Sequence, residues 1–421
     1  MREQEAILIV GKGARENALG WKMEQSPSKP KLYFAPGNAG TQQIGINLDI
    51  GEMEIDKLAR FSSDNKIRLT VVGPENPLEK GIVNAFMEDN LLIFGPTQEA
   101  ARLETSKSYA IRFMQSHGIP CPKSIIIGDP HVAMHFFDRP IWKDVVIKAD
   151  GLASGKGVFL PDSKEEALDV VKRIFNKEFD EGSKVIIQER LTGKERSLLF
   201  FTDGKTIVPL LPAEDYKRLK DGNKGPNTGS MGAYAPAMID KWSTRYIYDK
   251  ILRPTVDGMR KEGCPFQGVL YVALMMTNKG PKVLEFNARF GDPEAQPLMI
   301  LFRSDLLQAM KNTTEGNLEK NDIVFRSGSA ICTVLAAEGY PGKPVTGDMI
   351  YGLDKINDPS IQIFHASTKS VDGEIKTNGG RILGITAYGK DRKTIRKKID
   401  NCIGEKGINF RGMQYRKDIG A

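Results

Sequence analysis

The sequence predicts a multidomain protein of mixed α/β and α+β class: an open parallel sheet first, then a central region of antiparallel strands, then a small α+β segment. Three observations predict it. Over roughly the first hundred residues short apolar strands alternate with amphipathic helical stretches, the pattern of a parallel sheet with helices on both faces. From Ser106 onward the strands follow one another closely, as antiparallel neighbours do. The length of 421 residues exceeds one ordinary core, so about two to four domains are expected. The changes of texture put boundaries at 1–104, 105–325 and 326–421.

In the first segment the strands are 'AILIV', 'KLYFA', 'LTVVG' and 'LLIFG', separated by helical patterns such as 'ARENALGWKMEQ' and 'PLEKGIVNAFMEDN'. The loops after these strands, 'GKGA', 'PGNAG', 'GPENP' and 'GPT', are rich in Gly and Pro and lie where open α/β sheets take ligands. A helix, 'SKSYAIRFMQSHG', leads into strands 'DVVIKADG', 'GVFLP', 'KVIIQERL' and 'RSLLFFTDGKTIVPLL' around one helix, 'SKEEALDVVKRIFNK'. After the loop 'KDGNKGPNTGSMGAYAP' come a long helix and the strand pair 'GVLYVALMMTN' and 'PKVLEFNARF'. The last segment opens with 'SGSAICTVLAAEGYPG' and ends in 'FRGMQYRKDIG'.

Several function classes are disfavoured. No apolar run reaches the length of a membrane span, and 'MREQEAILIVGKG' enters a strand too early for a secretory leader. Cys121, Cys264, Cys332 and Cys402 are scattered without metal-ligand spacing, as reduced thiols of a cytoplasmic protein would be. His131 and His135 are four apart with no third ligand near, which fits a surface helix better than zinc. The net charge of +7 is spread along the chain. Its densest run, 'KDRKTIRKKID', reads with Ile395, Ile399, Cys402 and Ile403 as an amphipathic helix with a solvated basic face. Phosphate-bearing small molecules account for the charge as well as a nucleic acid does, and no aromatic platform for bases is visible.

Four motifs carry chemistry. 'LIVGKGARENAL' is a strand, a glycine turn and a helix start whose amides suit a phosphate. Glu16 stands where a dinucleotide fingerprint needs its third glycine, so a nicotinamide enzyme is disfavoured. 'VVIKADGLASGKGVFL' places Lys148 on a strand and Lys156 in a glycine loop, Gly155 and Gly157 flanking it. The spacing is not that of a Walker A loop, but such a loop between two strands can fold over phosphates. In 'VIIQERLTGKERSL', Glu189 and Glu195 are candidates for adenine and ribose contacts, with the backbone at Arg190 and Leu191 reading the base. In 'VLEFNARFGDPEAQP', Glu285, Asn287 and Arg289 alternate along a strand and so share a face, opposite Leu284, Phe286 and Ala288. A carboxylate and an amide oxygen suit Mg²⁺ carried by nucleotide phosphates, and the guanidinium suits a transferring phosphoryl group. The rival for this face is an edge strand in which Glu285 simply pairs with Arg289.

Taken in order, these motifs resemble the ATP-grasp carboxylate–amine ligases. Within them 'APGNAG', 'VVGPENPLEKGI', 'LETSKSYA', 'DYKRL', 'GPNTGSMGAY', 'GDPEAQP', 'FHASTK', 'TNGGRIL' and 'YRKDIG' resemble the glycinamide ribonucleotide synthetase family along nearly the whole chain. The resemblance implies an N-terminal pre-ATP-grasp domain, a central ATP-grasp fold with a lid at about residues 122–192, and a small C-terminal domain. It implies ATP and Mg²⁺ (or Mn²⁺), and ligation of glycine to 5-phosphoribosylamine through a glycyl phosphate. The expected setting is cytoplasmic, as monomer or homodimer, with no nucleic acid or membrane partner. By the same resemblance Lys107 joins Lys148, Gly155, Lys156 and Gly157 at the nucleotide. Gly13, Arg15, Glu16 and Asn17, with Gly37, Asn38, Ala39 and Gly40, hold the ribose phosphate. Asp215, Lys217 and Arg218, with Asn227, Thr228 and Gly229, line the space between substrate and γ-phosphate, and Asp292 lies close by. Lys156, Arg289 and these charged residues would carry catalysis by charge neutralisation.

The chain departs from the family pattern at Asn17 and Tyr216, where the family has histidines, at Ser230, where it has glycine, and at Ala288, where it has cysteine. Asparagine cannot take a proton near neutral pH. Two rivals therefore stand beside the ligase: a paralogue coupling another acid and amine, and a nucleotide-binding regulator without turnover.

Overall fold

The computed structural model describes residues 4–138, 144–152, 157–178 and 184–421. Strands β1 (Ala6–Gly11), β2 (Lys31–Pro36), β3 (Ile46–Asn47), β4 (Leu69–Val72) and β5 (Ile93–Phe94) form one parallel sheet in the order β3-β2-β1-β4-β5. Apolar side chains run continuously along β1 because both its faces are covered. Leu8 and Val10 enter one core with Phe86 and Ile111, while Ile7 and Ile9 enter another with Ala18, Leu19 and Met299. Strand order reverses at β1, so the crevice beyond the carboxyl ends of β1 and β4 is the topological switch point.

Strands β6 (Ser124–Ile127), β7 (Val145–Ala149), β8 (Val158–Phe159) and β9 (Val185–Glu189) form a small antiparallel sheet, ordered β6-β9-β7-β8. Helices Pro130–Phe136 and Lys164–Phe175 cover it around a core of its own, with Ile147, Val170, Val171 and Ile187. His131 and His135 stand exposed on the first of these helices.

A second antiparallel sheet holds β10 (Lys194–Asp203) and β11 (Ile207–Pro209) with the later strands β16 (Gln267–Thr277) and β17 (Gly280–Asn287), ordered β11-β10-β16-β17. Alternate residues of β10 enter both cores of the first sheet, Leu198 and Phe200 one, Leu199 and Phe201 the other. Phe94 and Phe201 meet at 5.7 Å between ring centroids. The parallel sheet and this one are therefore packed as a unit, and what they share is the wall of the site below.

The C-terminal sheet is ordered β12 (Glu214–Asp215), β15 (Gly232–Ala235), β18 (Ser329–Ala336), β22 (Arg381–Gly389), β19 (Ile361–His365). Two hairpins, β13 (Arg218–Lys220) with β14 (Lys224–Asn227) and β20 (Thr368–Val371) with β21 (Glu374–Thr377), complete the strands. Sequence texture placed residues 214–235 with the central region, yet β12 and β15 pair into the C-terminal sheet. Glycine allows it: a Cβ on Gly232 would meet the Cys332 carbonyl oxygen at 2.6 Å. The basic helix Arg392–Cys402 lies on this sheet through Ile395 and Ile399, whereas Ile403 falls past its end and bridges to Ile408. Among the described residues no helix is long and apolar enough to cross a membrane.

Candidate active site

A cavity of about 1340 Å³ opens between the β6–β9 sheet, the β10–β17 sheet and the β13–β14 hairpin. Its lining brings together Lys107, Lys148, Gly157, Glu189, Arg190, Leu191, Glu195, Asp215, Lys217, Arg218, Asn227, Thr228, Glu285, Asn287 and Arg289, all singled out from sequence. Gly155 and Lys156 lie outside the described residues.

Strand β17 supplies the polar floor. Glu285 and Asn287 both face the cavity, as period-two alternation requires. Leu284 does not follow the same rule. A bulge between the Val283 and Glu285 pairings leaves it as the extra residue, and it reaches the cavity lining while still packing on the margin of a core. Its freed carbonyl accepts a hydrogen bond from Lys148 Nζ at 3.3 Å. Burial works against ionisation of Glu285, but the ammonium groups of Lys148 and Lys217 outweigh it and hold its carboxyl below the usual range. Burial lowers Lys148 in turn, with Glu285 partly offsetting it. An ionised carboxylate and an amide oxygen two residues apart fit a magnesium ion that keeps phosphate oxygens and waters as its other ligands.

Arg289 does not pair with Glu285. Its guanidinium meets Glu104 Oε1 at 2.7 Å and Glu75 Oε2 at 3.1 Å, and reaches Asn287 Oδ1 at 3.3 Å. Burial opposes its charge, and Glu104 and Glu75 more than restore it. The residue lies just past β17, in the bend that follows.

The other charged arm comes from β12 and the residues after it. Lys217 Nζ sits 3.1 Å from Asp215 Oδ1 and 2.9 Å from Glu195 Oε2. Burial opposes its charge, while Asp215 and Glu195 raise its pKa well above the ordinary value. Thr228 donates twice to this arm, its amide and its Oγ1 both bonding to the Lys217 carbonyl. Glu189 pairs with Lys282 at 3.2 Å at the far end of the cavity. Lys107 Nζ donates to the Gly151 carbonyl at 2.6 Å, pinning the start of the glycine loop.

Gly13, Arg15, Glu16, Asn17, Gly37, Asn38, Ala39, Gly40, Gly229 and Asp292 are not among the residues lining that cavity. The N-terminal ones gather beside it, at the switch point. Glu16 turns inward, its Oε2 accepting from the Gly13 amide at 2.6 Å and its Oε1 from Arg15 Nε at 2.6 Å. Asn38 Nδ2 donates to the Lys12 carbonyl at 2.9 Å and to the His365 carbonyl at 2.8 Å, while its Oδ1 accepts from the Gly40 and Thr41 amides. Asp292 is held by Arg381 at 3.1 Å and Gln296 at 2.8 Å, its Oδ2 3.5 Å from where a Cβ on Gly13 would sit. Arg15 and Arg289 both donate to the Phe290 carbonyl, at 3.0 and 3.2 Å. That shared oxygen joins the switch point to the cavity.

Comparison with known proteins decides the family. Residues 5–104 match the Phosphoribosylglycinamide synthetase N domain, 105–295 its ATP-grasp (A) domain and 330–421 its C domain. The chain belongs to the phosphoribosylglycinamide synthetase family. A Phosphoribosylamine–glycine ligase of Rhodopirellula baltica is 42% identical over 98% of this chain and 96% of its own. The Trifunctional purine biosynthetic protein adenosine-3 of Gallus gallus is 46% identical over 99% of this chain, which spans 42% of that protein's length. The crystal structure of the Phosphoribosylamine–glycine ligase of Thermotoga maritima superimposes with a TM-score of 0.86 at 33% identity, covering 98% of this chain and 100% of that one. A biotin carboxylase domain from Hydrogenobacter thermophilus, crystallised with MgADP, shares the fold with a TM-score of 0.74 at 14% identity, over 98% of this chain and 91% of that one. The chain is an ATP-grasp ligase of the phosphoribosylglycinamide synthetase family, and ATP with Mg²⁺ is the cofactor chemistry of that family.

Its departures from the family pattern lie away from the cavity. Asn17 is 4% exposed and accepts a hydrogen bond from the His365 amide at 2.8 Å, tying the first helix to β19. Tyr216 points opposite to Asp215 and Lys217, into the C-terminal core, where its hydroxyl accepts from the Gly420 amide at 3.0 Å and Arg416 stacks 4.8 Å over its ring. Ala288 is buried, and its amide donates to Glu104. Sequence reasoning gave no role to Glu75, Glu104, Glu294, Tyr271 or Arg381. Glu294 accepts from Ser197 Oγ, which also meets the Tyr271 hydroxyl. Arg381 binds the Gly229 and Asp292 carbonyls. 'GPENP', 'LETSK' and 'TNGGR' carried the family resemblance, but no local spacing disclosed what Glu75, Glu104 and Arg381 would touch.

Proposed function

We propose that this chain joins glycine to 5-phosphoribosylamine at the expense of ATP, giving glycinamide ribonucleotide, ADP and phosphate, a step of de novo purine synthesis. The observation that carries the reading is the shared Phe290 carbonyl, which sets the ligand crevice of a parallel sheet directly against a cavity furnished for a nucleotide.

Glu189, Arg190 and Leu191 would hold the base of ATP, and Lys148 and Arg289 would face its phosphates. An oxygen of the glycine carboxylate attacks the γ-phosphorus, the β–γ bridge breaks and ADP leaves. The amine nitrogen then attacks the glycyl carbon, and the carbon–oxygen bond breaks with its electron pair leaving on phosphate. Bound magnesium supplies charge neutralisation at the phosphate oxygens, with Glu285 and Asn287 as its protein ligands. Lys148, Lys217 and Arg289 hold the remaining negative charge in place, so that catalysis is positioning and preorganised electrostatics. Asp215, Arg218, Asn227 and Thr228 border the glycine; Gly13, Arg15, Asn38 and Gly40 border the ribose phosphate. Tyr216 turns into the C-terminal core, which supports the ligase over a paralogue with a different amine, whereas Asn17 stays beside Gly40 at the switch point. The reaction is assigned to the cytoplasm on its four unpaired cysteines.

The test measures ADP release with ATP, Mg²⁺, glycine and phosphoribosylamine generated in situ, omitting each in turn. ADP that requires both glycine and the amine supports the ligase. Turnover with another acid or amine only, or ATP binding without turnover, overturns it.

A further inference from the structure

We propose that Glu75 receives the amine nucleophile: its carboxylate accepts a hydrogen bond from the amino group of the phosphoribosylamine and aims the nitrogen at the glycyl phosphate. The inference rests on the ligase reading above and adds a catalytic residue to it. Glu75 stands three residues beyond the end of β4, and β4 and β1 bound the switch-point crevice. Its Oε2 accepts from Arg289 Nε at 3.1 Å, so it touches the group that faces the phosphoryl end of the cavity. Its side chain is 22% exposed and lines that cavity. It is thus the carboxylate that belongs to both places.

The neighbouring acids are committed elsewhere. Glu104 spends one oxygen on Arg289 and the other on the Ala288 amide. Asp215 holds Lys217, and Glu214 holds Arg196 and the Tyr234 hydroxyl. The Arg289 guanidinium keeps Glu75 ionised, its carboxyl at about 2. A carboxylate so acidic orients an amine without retaining its proton. In the step, the nitrogen lone pair forms the C–N bond, the C–O bond breaks toward phosphate, and the proton shed by nitrogen passes to the departing phosphate.

Hydroxylamine provides the test, because it is a small nucleophile that traps glycyl phosphate as the hydroxamate without entering the switch-point crevice. In Glu75→Gln, kcat/KM for phosphoribosylamine falls about 100-fold or more, while glycine- and ATP-dependent hydroxamate formation stays within about 3-fold of the wild type. Glu75→Asp, which keeps the charge and shortens the reach, recovers part of the loss and serves where the glutamine variant folds poorly. Parallel loss of both reactions overturns the proposal and leaves Glu75 as a prop for Arg289. A raised KM for glycine in the hydroxylamine assay overturns it in favour of an anchor for the glycine ammonium, and an unchanged amine kcat/KM overturns it outright. Absence of hydroxamate from the wild-type protein overturns the ligase reading, and the assignment with it.

Discussion

Two charged clusters line the same cavity on different terms. Arg289 is 16% exposed and sits between Glu75 and Glu104, at 22% and 6%. Lys217 is 41% exposed and sits between Asp215, at 8%, and Glu195, at 45%. Removing one member of a buried ion pair strands the other charge and costs about 3–5 kcal/mol, whereas an exposed pair contributes at most about 1 kcal/mol. The Arg289 cluster therefore belongs to the fold as much as to the site. The Lys217 cluster is free to exchange its carboxylates for a ligand's phosphate, because little stability depends on them.

The largest expected effect breaks the first cluster. Arg289→Met lowers the free energy of urea unfolding by about 3–5 kcal/mol and abolishes glycine-dependent ADP formation. Adding Glu104→Gln restores part of the stability and none of the activity, since it removes the stranded charge without replacing the guanidinium. A loss below about 1 kcal/mol in the single variant would erase the contrast between the clusters.

His365 sharpens the comparison by showing a buried ionisable group with no countercharge. It is 4% exposed, and its Nδ1 lies 3.0 Å from the Thr368 hydroxyl. Burial pushes its imidazole down from 6.5 to about 4. Above pH 6.5 it is neutral folded and unfolded, and contributes no pH dependence. Below pH 6.5 the unfolded chain takes up a proton that the folded chain refuses, so stability falls until the folded imidazole titrates near pH 4. The total is about 3 kcal/mol. His365→Gln flattens the urea-midpoint profile over that window; a profile unchanged by the substitution would mean the ring protonates freely in place.

How much of this was legible in the sequence follows from how local each feature is. The alternation of Glu285 and Asn287 is a property of one strand and could be read directly. The bulge that brings Leu284 to the cavity lining depends on the pairing of β17 with β16, which composition does not encode. The partners of Arg289 lie still further away, Glu75 being 214 positions from it in the sequence, so the edge-strand reading paired it with the nearer Glu285. The order of β12 and β15 in the C-terminal sheet was hidden for the same reason. Tyr216 shows the same limit from the other side: it stands between Asp215 and Lys217 in the sequence, but β12 and its continuation send alternate residues to opposite sides, and Tyr216 packs in the C-terminal core.

A smaller effect tests what holds the Lys217 arm. Ser230 has a left-handed backbone, φ +86, where the family pattern has glycine. Its Oγ compensates by accepting from the Tyr216 amide at 3.2 Å and donating to the Gly232 carbonyl at 3.0 Å. Ser230→Ala keeps the strain and loses the bonds, costing about 1–2 kcal/mol in thermal unfolding. Ser230→Gly loses the same bonds but regains about 1 kcal/mol of backbone strain, so it is the more stable of the two. The reverse order would mean that the hydroxyl does not hold the loop.

The smallest stability effect belongs to the second cluster, and its smallness is the point. Lys217→Met changes the free energy of unfolding by less than about 1 kcal/mol, because Lys217 and Glu195 are exposed and screened by water and only Asp215 is buried. Glycine-dependent ADP formation nonetheless falls by about 100-fold, since in the proposed reaction the ammonium neutralises charge on the transferring phosphoryl group. Stability and activity thus separate at Lys217 and fall together at Arg289. If Lys217→Met instead destabilises the protein as Arg289→Met does, the arm is a structural strut, and the carboxylates it holds are not available for exchange with a ligand.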